Sequence, residues 1–373
     1  MPAPLMRSCI GFNPPARFCV SNTAGKNGSA IIGLAAVIVV IYGMQMAKAL
    51  LVPFLIAVFL ALITVRPMLW MQQKRVPAIL AALAIVIVIM LLLSVVGTIV
   101  GQSIAEFTAA IPAYQARLSE IVSGVLDFAV ERLRFDESIR DLSTVVNPGV
   151  AMNLVGTLLN GLRSVLTNVF LIFFTMIFIL LEASTVKTKV EAAFGQQAVS
   201  FERQRAFLTN LGRYLGIKTI VSFATGFLAW LVTWSVGLDF PLLWGMLAFL
   251  LNYVPTIGSI IAAVPAILLA IVQLGAGEAL AITAGYAGIN ILFGNFIEPR
   301  LMGYGVGISP LIVFVGLIFW GWVFGPVGML LSVPLTMTLK MALENDEDTR
   351  WIAIFLGSER DAQYEVTSRE ADE

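Results

Sequence analysis

Glu298 and Arg300 close a long apolar stretch that also carries Asn290 and Asn295, and they are the first place to look for chemistry in this chain. Ionisable groups inside or at the ends of such stretches are rare, and they tend to mark solute paths or proton relays. Asn295 and Glu298 are three residues apart, so a helix presents them on one face. That face either lines a polar route or is the capped, snorkelling end of an ordinary helix; Arg300 fits an ion pair with Glu298 as well as it fits a solute ligand. Lys218, near Arg213, is expected to snorkel to headgroups, and Asp239 and Glu278 read as boundary residues. The chain has no histidine, which removes the usual Ser/His and His-ligated metal arrangements, and it has no intramembrane aspartate pair. Catalysis, a metal and a cofactor are therefore not expected.

Further polar groups come from the backbone. Residues 241 to 273 are apolar apart from Asn252, Pro255 and Gly258 at their centre. As one straight helix they would run about 50 Å, beyond the bilayer, and proline removes a donor while clashing with the preceding turn. A break near Asn252 to Gly258 and a re-entrant hairpin are predicted. The same logic breaks residues 309 to 341 between Gly321 and Gly328, with Gly325, Pro326 and Gly328 at the interruption. The two regions align without gaps: Pro241 and Pro265 are 24 residues apart, as are Pro310 and Pro334, all four expected to act as helix breaks or hinges, and Val236-Gly237 and Val306-Gly307 precede them. If neither hairpin crosses the membrane, the units they belong to are inverted repeats. Freed backbone groups and half-helix ends then meet at mid-membrane, where non-helical backbone requires a protein or water-lined cover.

The elements that must position these groups follow from composition. Hydrophobic residues make up 59% of the 373, charged residues 12%, and mean hydropathy is +0.92, so lipid is the main solvent. Full spans are predicted at 29 to 47, 50 to 65, 78 to 101, 154 to 181, 213 to 237 and 279 to 297. The second, with Pro53, pairs with the first in a tight hairpin around Lys48 and Ala49. The fold class is thus all-α integral membrane protein, with about six spans and two broken hairpins. Domains are a disordered cytoplasmic start (1 to 28, with Cys9 and Cys19 as bystanders), N-terminal spans (29 to 101), an outer segment (102 to 153), a transport core (154 to 342) and an acidic, solvated tail (343 to 373).

Arg7, Arg17 and Lys26 place the N-terminus in the cytoplasm, Arg66, Lys74 and Arg75, then Lys187, Lys189, Arg203 and Arg205 do the same for two connections, and Lys340 and Arg350 near the membrane go with a cytoplasmic C-terminus. The acidic segment Gln102 to Gly149 belongs outside. There Tyr114, Leu118, Ile121, Val122, Val125, Ala129 and Leu133 recur at helical spacing, giving an amphipathic helix that packs on the membrane domain, lies at the lipid interface or holds subunits together. Net charge is zero and charges cluster in connections, which argues against nucleic acid as a partner.

Four C-terminal motifs carry a family resemblance: NYVPTIG at Asn252 to Gly258 with Pro265 after it, NFIEPRLMG from Asn295 to Gly303, SPL at Ser309 to Leu311, and FGPVGMLLSVPL at Phe324 to Leu335. With them the chain resembles the autoinducer-2 exporter family of bacterial membrane permeases (PerM-like permeases), and the resemblance covers nearly the whole span layout. It implies a bacterial inner-membrane transporter, either an exporter of the small signal autoinducer-2 or a sodium/proton antiporter, in homo-oligomers with pentamers among the expected forms. Three functions are weighed. Export of a small polar metabolite uses the Asn and backbone groups at the breaks. Cation/proton antiport needs a carboxylate near mid-membrane, and only Glu298 could serve. A non-transporting scaffold would rest on the outer amphipathic helix. Lipid and a small solute are the partners expected.

Overall fold

In hydrocarbon a peptide group has no water to bond, so an apolar chain satisfies its N–H and C=O groups internally by forming helices. The computed structural model describes residues 23–133, 169–183, 185, 189, 192, 199–255, 257–302, 307–344, 349–359, 363 and 367, and these form helices, turns and no strand. Cys9, Cys19, the start of the predicted span 154 to 181, the end of the outer segment and most of the acidic tail lie outside the described residues.

The first helix, α1 (Thr23–Met46), begins before the predicted span and forms a unit by itself. The second unit starts with α2 (Lys48–Gln73), α3 (Ala78–Leu133) and α4 (Val169–Ala183). Helix α2 is longer than the predicted 50 to 65, since Pro53 and Pro67 are both accommodated inside it. Neighbouring helices make that possible: Ala57, Ala61 and Met68 of α2 are buried in a core with Ala81, Ala82 and Val86 of α3 and Phe173, Met176 and Leu180 of α4.

The outer segment is not a separate helix. It continues α3 without a break to Leu133, through Pro112. At 56 residues and 1.5 Å each, α3 is about 84 Å long, so its last half runs clear of any bilayer it crosses. The predicted amphipathic pattern is present there, with Tyr114, Leu118, Ile121 and Val122 half-buried while Arg117 and Glu120 are exposed.

A second core gathers the rest of α3 with α5 (Val199–Val236), α6 (Pro241–Leu251), α7 (Gly258–Gln273) and α8 (Ala276–Asn290). Helix α5 ends in a Schellman turn: Gly237, at φ +81°, lets its own N–H reach the Trp234 carbonyl and that of Leu238 reach Thr233. Pro241 then opens α6, and the chain breaks between Leu251 and Gly258. Pro265, predicted as a hinge, lies buried inside a continuous α7.

Helix α8 passes into a π-helical segment, Ile291–Ile297, and then α9 (Glu298–Met302). The second interrupted region follows: α10 (Pro310–Phe324), α11 (Pro326–Leu330) and α12 (Ser332–Glu344), the last containing Pro334. Its interruption is narrower than the predicted Gly321 to Gly328. Only Gly325 and Leu331 leave the helices, Gly325 at φ +72° and ψ −150°, a backbone conformation essentially confined to glycine.

The tail expected to be solvated instead starts with a packed helix, α13 (Arg350–Leu356), whose Ala353 is fully buried. The Ser309 N–H donates to the Leu356 carbonyl at 3.1 Å, and Lys340 Nζ donates to the Gly307 carbonyl at 2.7 Å. By length and hydropathy four helical stretches among the described residues can cross a membrane: Lys48–Gln73, Ala78–Gly124, Ala206–Val236 and Ala276–Met302. Large apolar side chains along them face outward, Ile220 and Phe223 at 67% exposure and Leu280 at 71%, which is the surface lipid covers.

Candidate functional site

The break between α6 and α7 is held against α5 by very close packing. A Cβ on Gly258 would run into the Leu251 carbonyl, and one on Gly226 of α5 would lie 2.7 Å from the Gly245 carbonyl of α6. The break therefore sits directly on the polar face of α5. Asn252 Nδ2 donates to Ser222 Oγ at 3.0 Å, and the Tyr253 hydroxyl donates to Thr219 Oγ1 at 2.8 Å. On the other side Ser259 Oγ donates to Asn290 Oδ1 of α8 at 3.0 Å.

Between these contacts lies a cavity lined by Thr225, Asn252, Ser259, Tyr286 and Asn290, with alanine, Ile289, Phe293 and Gly294 completing the wall. It has about 10 Å³ of room, enough for one water. Among the described residues, Thr225 Oγ1 and the Tyr286 hydroxyl are buried with no hydrogen-bond partner, and both belong to this lining. A buried hydroxyl without a partner is costly, and two of them on one small cavity leave donors and acceptors open to a polar partner there. Apart from the Tyr286 phenol, the lining has no ionisable side chain.

The ionic part of the site is separate. Lys218 is only 4% exposed and its Nζ lies 2.5 Å from Glu298 Oε1, so it does not snorkel as expected. The reason is tertiary: α9 packs against α5 and supplies a carboxylate at that level, which neutralises the ammonium inside the protein. Glu298 thus has Lys218 as its ion-pair partner, and Tyr214 is within electrostatic range of the same carboxylate. Arg300 and Asn295 are exposed and do not line the cavity.

Of the predicted residues, the structure brings together Asn252, Gly258 and Asn290, with Pro255 in the turn between α6 and α7. Gly325, Pro326 and Gly328 are elsewhere. Gly328 presses on the Trp320 carbonyl much as Gly258 presses on Leu251, and Trp320 Nε1 donates to Thr336 Oγ1 at 3.1 Å. Thr225, Tyr286, Ser259 and Lys218 were not singled out as site residues from sequence; each is a common residue on a membrane helix, and only the fold shows which face meets the break. Asp239, expected to be a mere boundary residue, accepts from the Tyr114 hydroxyl at 3.1 Å, and its N–H donates to Gln273 Oε1 at 3.0 Å, tying α3 to the C-terminal ends of α5 and α7.

Comparison with known proteins bears on what this arrangement serves. The profile of a family described as AI-2E family transporter matches residues 34–347. A protein of Escherichia coli (strain K12) named AI-2 transport protein TqsA is 36% identical over 87% of this chain and 94% of its own length. A putative transport protein of Haemophilus influenzae is 37% identical over 89% of this chain and 97% of its own, and the E. coli putative transport protein YhhT is 31% identical over 88% and 94%.

Proposed function

The chain belongs to the AI-2E family of transporters and is a multi-pass membrane protein with a transport role; from that premise we propose that it exports a small, uncharged, polar solute through the cavity at the break between α6 and α7. The observation that carries the proposal is the pair of buried, unpartnered hydroxyls of Thr225 and Tyr286 beside the amides of Asn252 and Asn290. Hydroxyls and amides both donate and accept, so together they can replace the hydration shell of a neutral hydroxylated molecule. An anion or a metal cation would find no opposite charge in that lining.

Sodium/proton antiport fits less well. Glu298 would have to bind the cation, yet the Lys218 ammonium already occupies its carboxylate. In the proposed arrangement the two interrupted regions are re-entrant and inverted relative to each other in a bacterial inner membrane, with both termini cytoplasmic. Support comes from their shared order: a glycine at positive φ (Gly237, Gly307), a proline opening the first limb (Pro241, Pro310), and a glycine wedged on a carbonyl after the break (Gly258, Gly328).

The first solute to assay is AI-2, the one in the name of the E. coli relative. In proteoliposomes or in cells lacking other exporters, Tyr286→Phe and Asn290→Ala should each cut its flux by about tenfold or more, the loss expected when one of few polar contacts to a neutral guest disappears. Unchanged flux in both, with measurable transport by the parent, would remove the cavity from the route.

A further inference from the structure

The π-helical segment Ile291–Ile297 joins the two polar sites. Asn290 at its start and Phe293 and Gly294 within it line the cavity, while its end delivers Glu298 to Lys218. In π-helix each N–H reaches one residue further back than in α-helix, a rare geometry that occurs mostly as short insertions at functional sites. Pro299, immediately after Glu298, has no N–H to donate back into either ladder, so one bond that would resist a change of register is missing.

The cavity holds about one water, whereas small-molecule sites occupy on the order of several hundred Å³. A wall has to move to admit a solute. Helices α5, α6 and α7 are poor candidates, being locked by backbone contacts at Gly226, Gly245 and Gly258. The remaining wall is the end of α8 and the π-helical segment it runs into, where Gly294 stands so close to Asn290 that a Cβ would lie 3.2 Å from its Oδ1.

We propose that the Lys218–Glu298 pair is a latch that holds this segment in its π register and the cavity closed. When the pair releases, the segment relaxes to the α register, and Phe293 and Gly294 withdraw from the cavity. A shift of one residue turns the helix beyond it by about 100° and moves it about 1.5 Å, which carries Glu298 off Lys218. The reverse holds as well: while Lys218 is 4% exposed, an α register would leave its charge buried and alone, a state strongly disfavoured. Lys218 is a positioning residue in this scheme, acting on the cavity through Glu298. The scheme shares the cavity with the transport reading but is tested without any solute.

The test uses the full-length chain in liposomes, with Cys9→Ser, Cys19→Ser and a reporter Ala262→Cys, since Ala262 lines the cavity and is 1% exposed. The rate of modification by a small charged thiol reagent is measured. Lys218→Met and Glu298→Gln should each raise it at least about tenfold over the parent, and the charge exchange Lys218→Glu with Glu298→Lys should return it close to the parent rate. If the single variants do not fold, the double neutral variant Lys218→Met, Glu298→Gln leaves no unpaired charge and should label fast. Parent-like labelling in the folded single variants, fast labelling in the charge exchange, or slow labelling in the double neutral variant would each overturn the latch. None of these results depends on whether AI-2 is carried.

Discussion

Thr225 and Tyr286 each hold a hydroxyl inside the protein that bonds to nothing among the described residues. Removing such a group takes away a desolvation penalty of about 1 to 3 kcal/mol. Tyr286→Phe and Thr225→Val are therefore expected to match or exceed the parent in thermal unfolding in detergent while losing flux, a split that a purely structural role would not produce. Gly258 makes the opposite demand. Gly258→Ala sets a methyl group against the Leu251 carbonyl and should lower stability by about 1 to 3 kcal/mol, whereas Gly216→Ala, in open space on α5, should be neutral or mildly stabilising. Asn252, Pro255 and Gly258 are legible as a break because the apolar run they interrupt is too long for one span, whereas Pro265 alone leaves its helix continuous. The partners Ser222, Thr225 and Tyr286 are not legible, because helix spacing fixes a face but not the element it meets.

At the scale of elements, the ion pair between α5 and α9 dominates. Its partners are 80 residues apart in sequence, and nothing local to Lys218 distinguishes a buried ammonium from a snorkelling one. Neutralising one partner leaves the other charged and buried, so Lys218→Met and Glu298→Gln should each destabilise by about 3 to 5 kcal/mol, and the double variant by clearly less than their sum. Denaturation of the four proteins in a double-mutant cycle measures this, and simple additivity would mean that the pair contributes nothing. The first break is legible because Asn252 and Gly258 bound it and Pro255 lies inside it. The second came out wider than it is, since Gly321 stays in α10 and only Gly325 takes a conformation that a side chain forbids. The π-helical segment left no sign in the composition of ILFGNFI; in the proposed latch its register depends on Glu298 reaching Lys218, a contact that lies outside the segment's own sequence.

For the whole molecule, four of the six expected spans are legible because lipid imposes them: among the described residues, helical stretches long enough to cross begin near Lys48, Ala78, Ala206 and Ala276, whereas Ala35–Met46 and Val169–Ala183 are shorter apolar helices. What sequence could not show is that the outer amphipathic stretch is the same rod as the third span, since a helix can stop at Pro112 or pass through it. In the proposed orientation, argued from basic residues in the other connections, that stretch lies outside. A reporter enzyme active only outside the cytoplasm should therefore work when fused near Glu120 and fail when fused near Lys74; the reverse result would invert the proposed orientation. Leu356 adds something at the far end. Its carbonyl is bonded to the first residue before α10, and Lys340 clasps Gly307 just beside it. Helix α13 is thus strapped at Leu356 to the entrance of the second interrupted region. A fluorophore on the exposed Phe355 would sit at that entrance without displacing the strap, giving a label beside the second break.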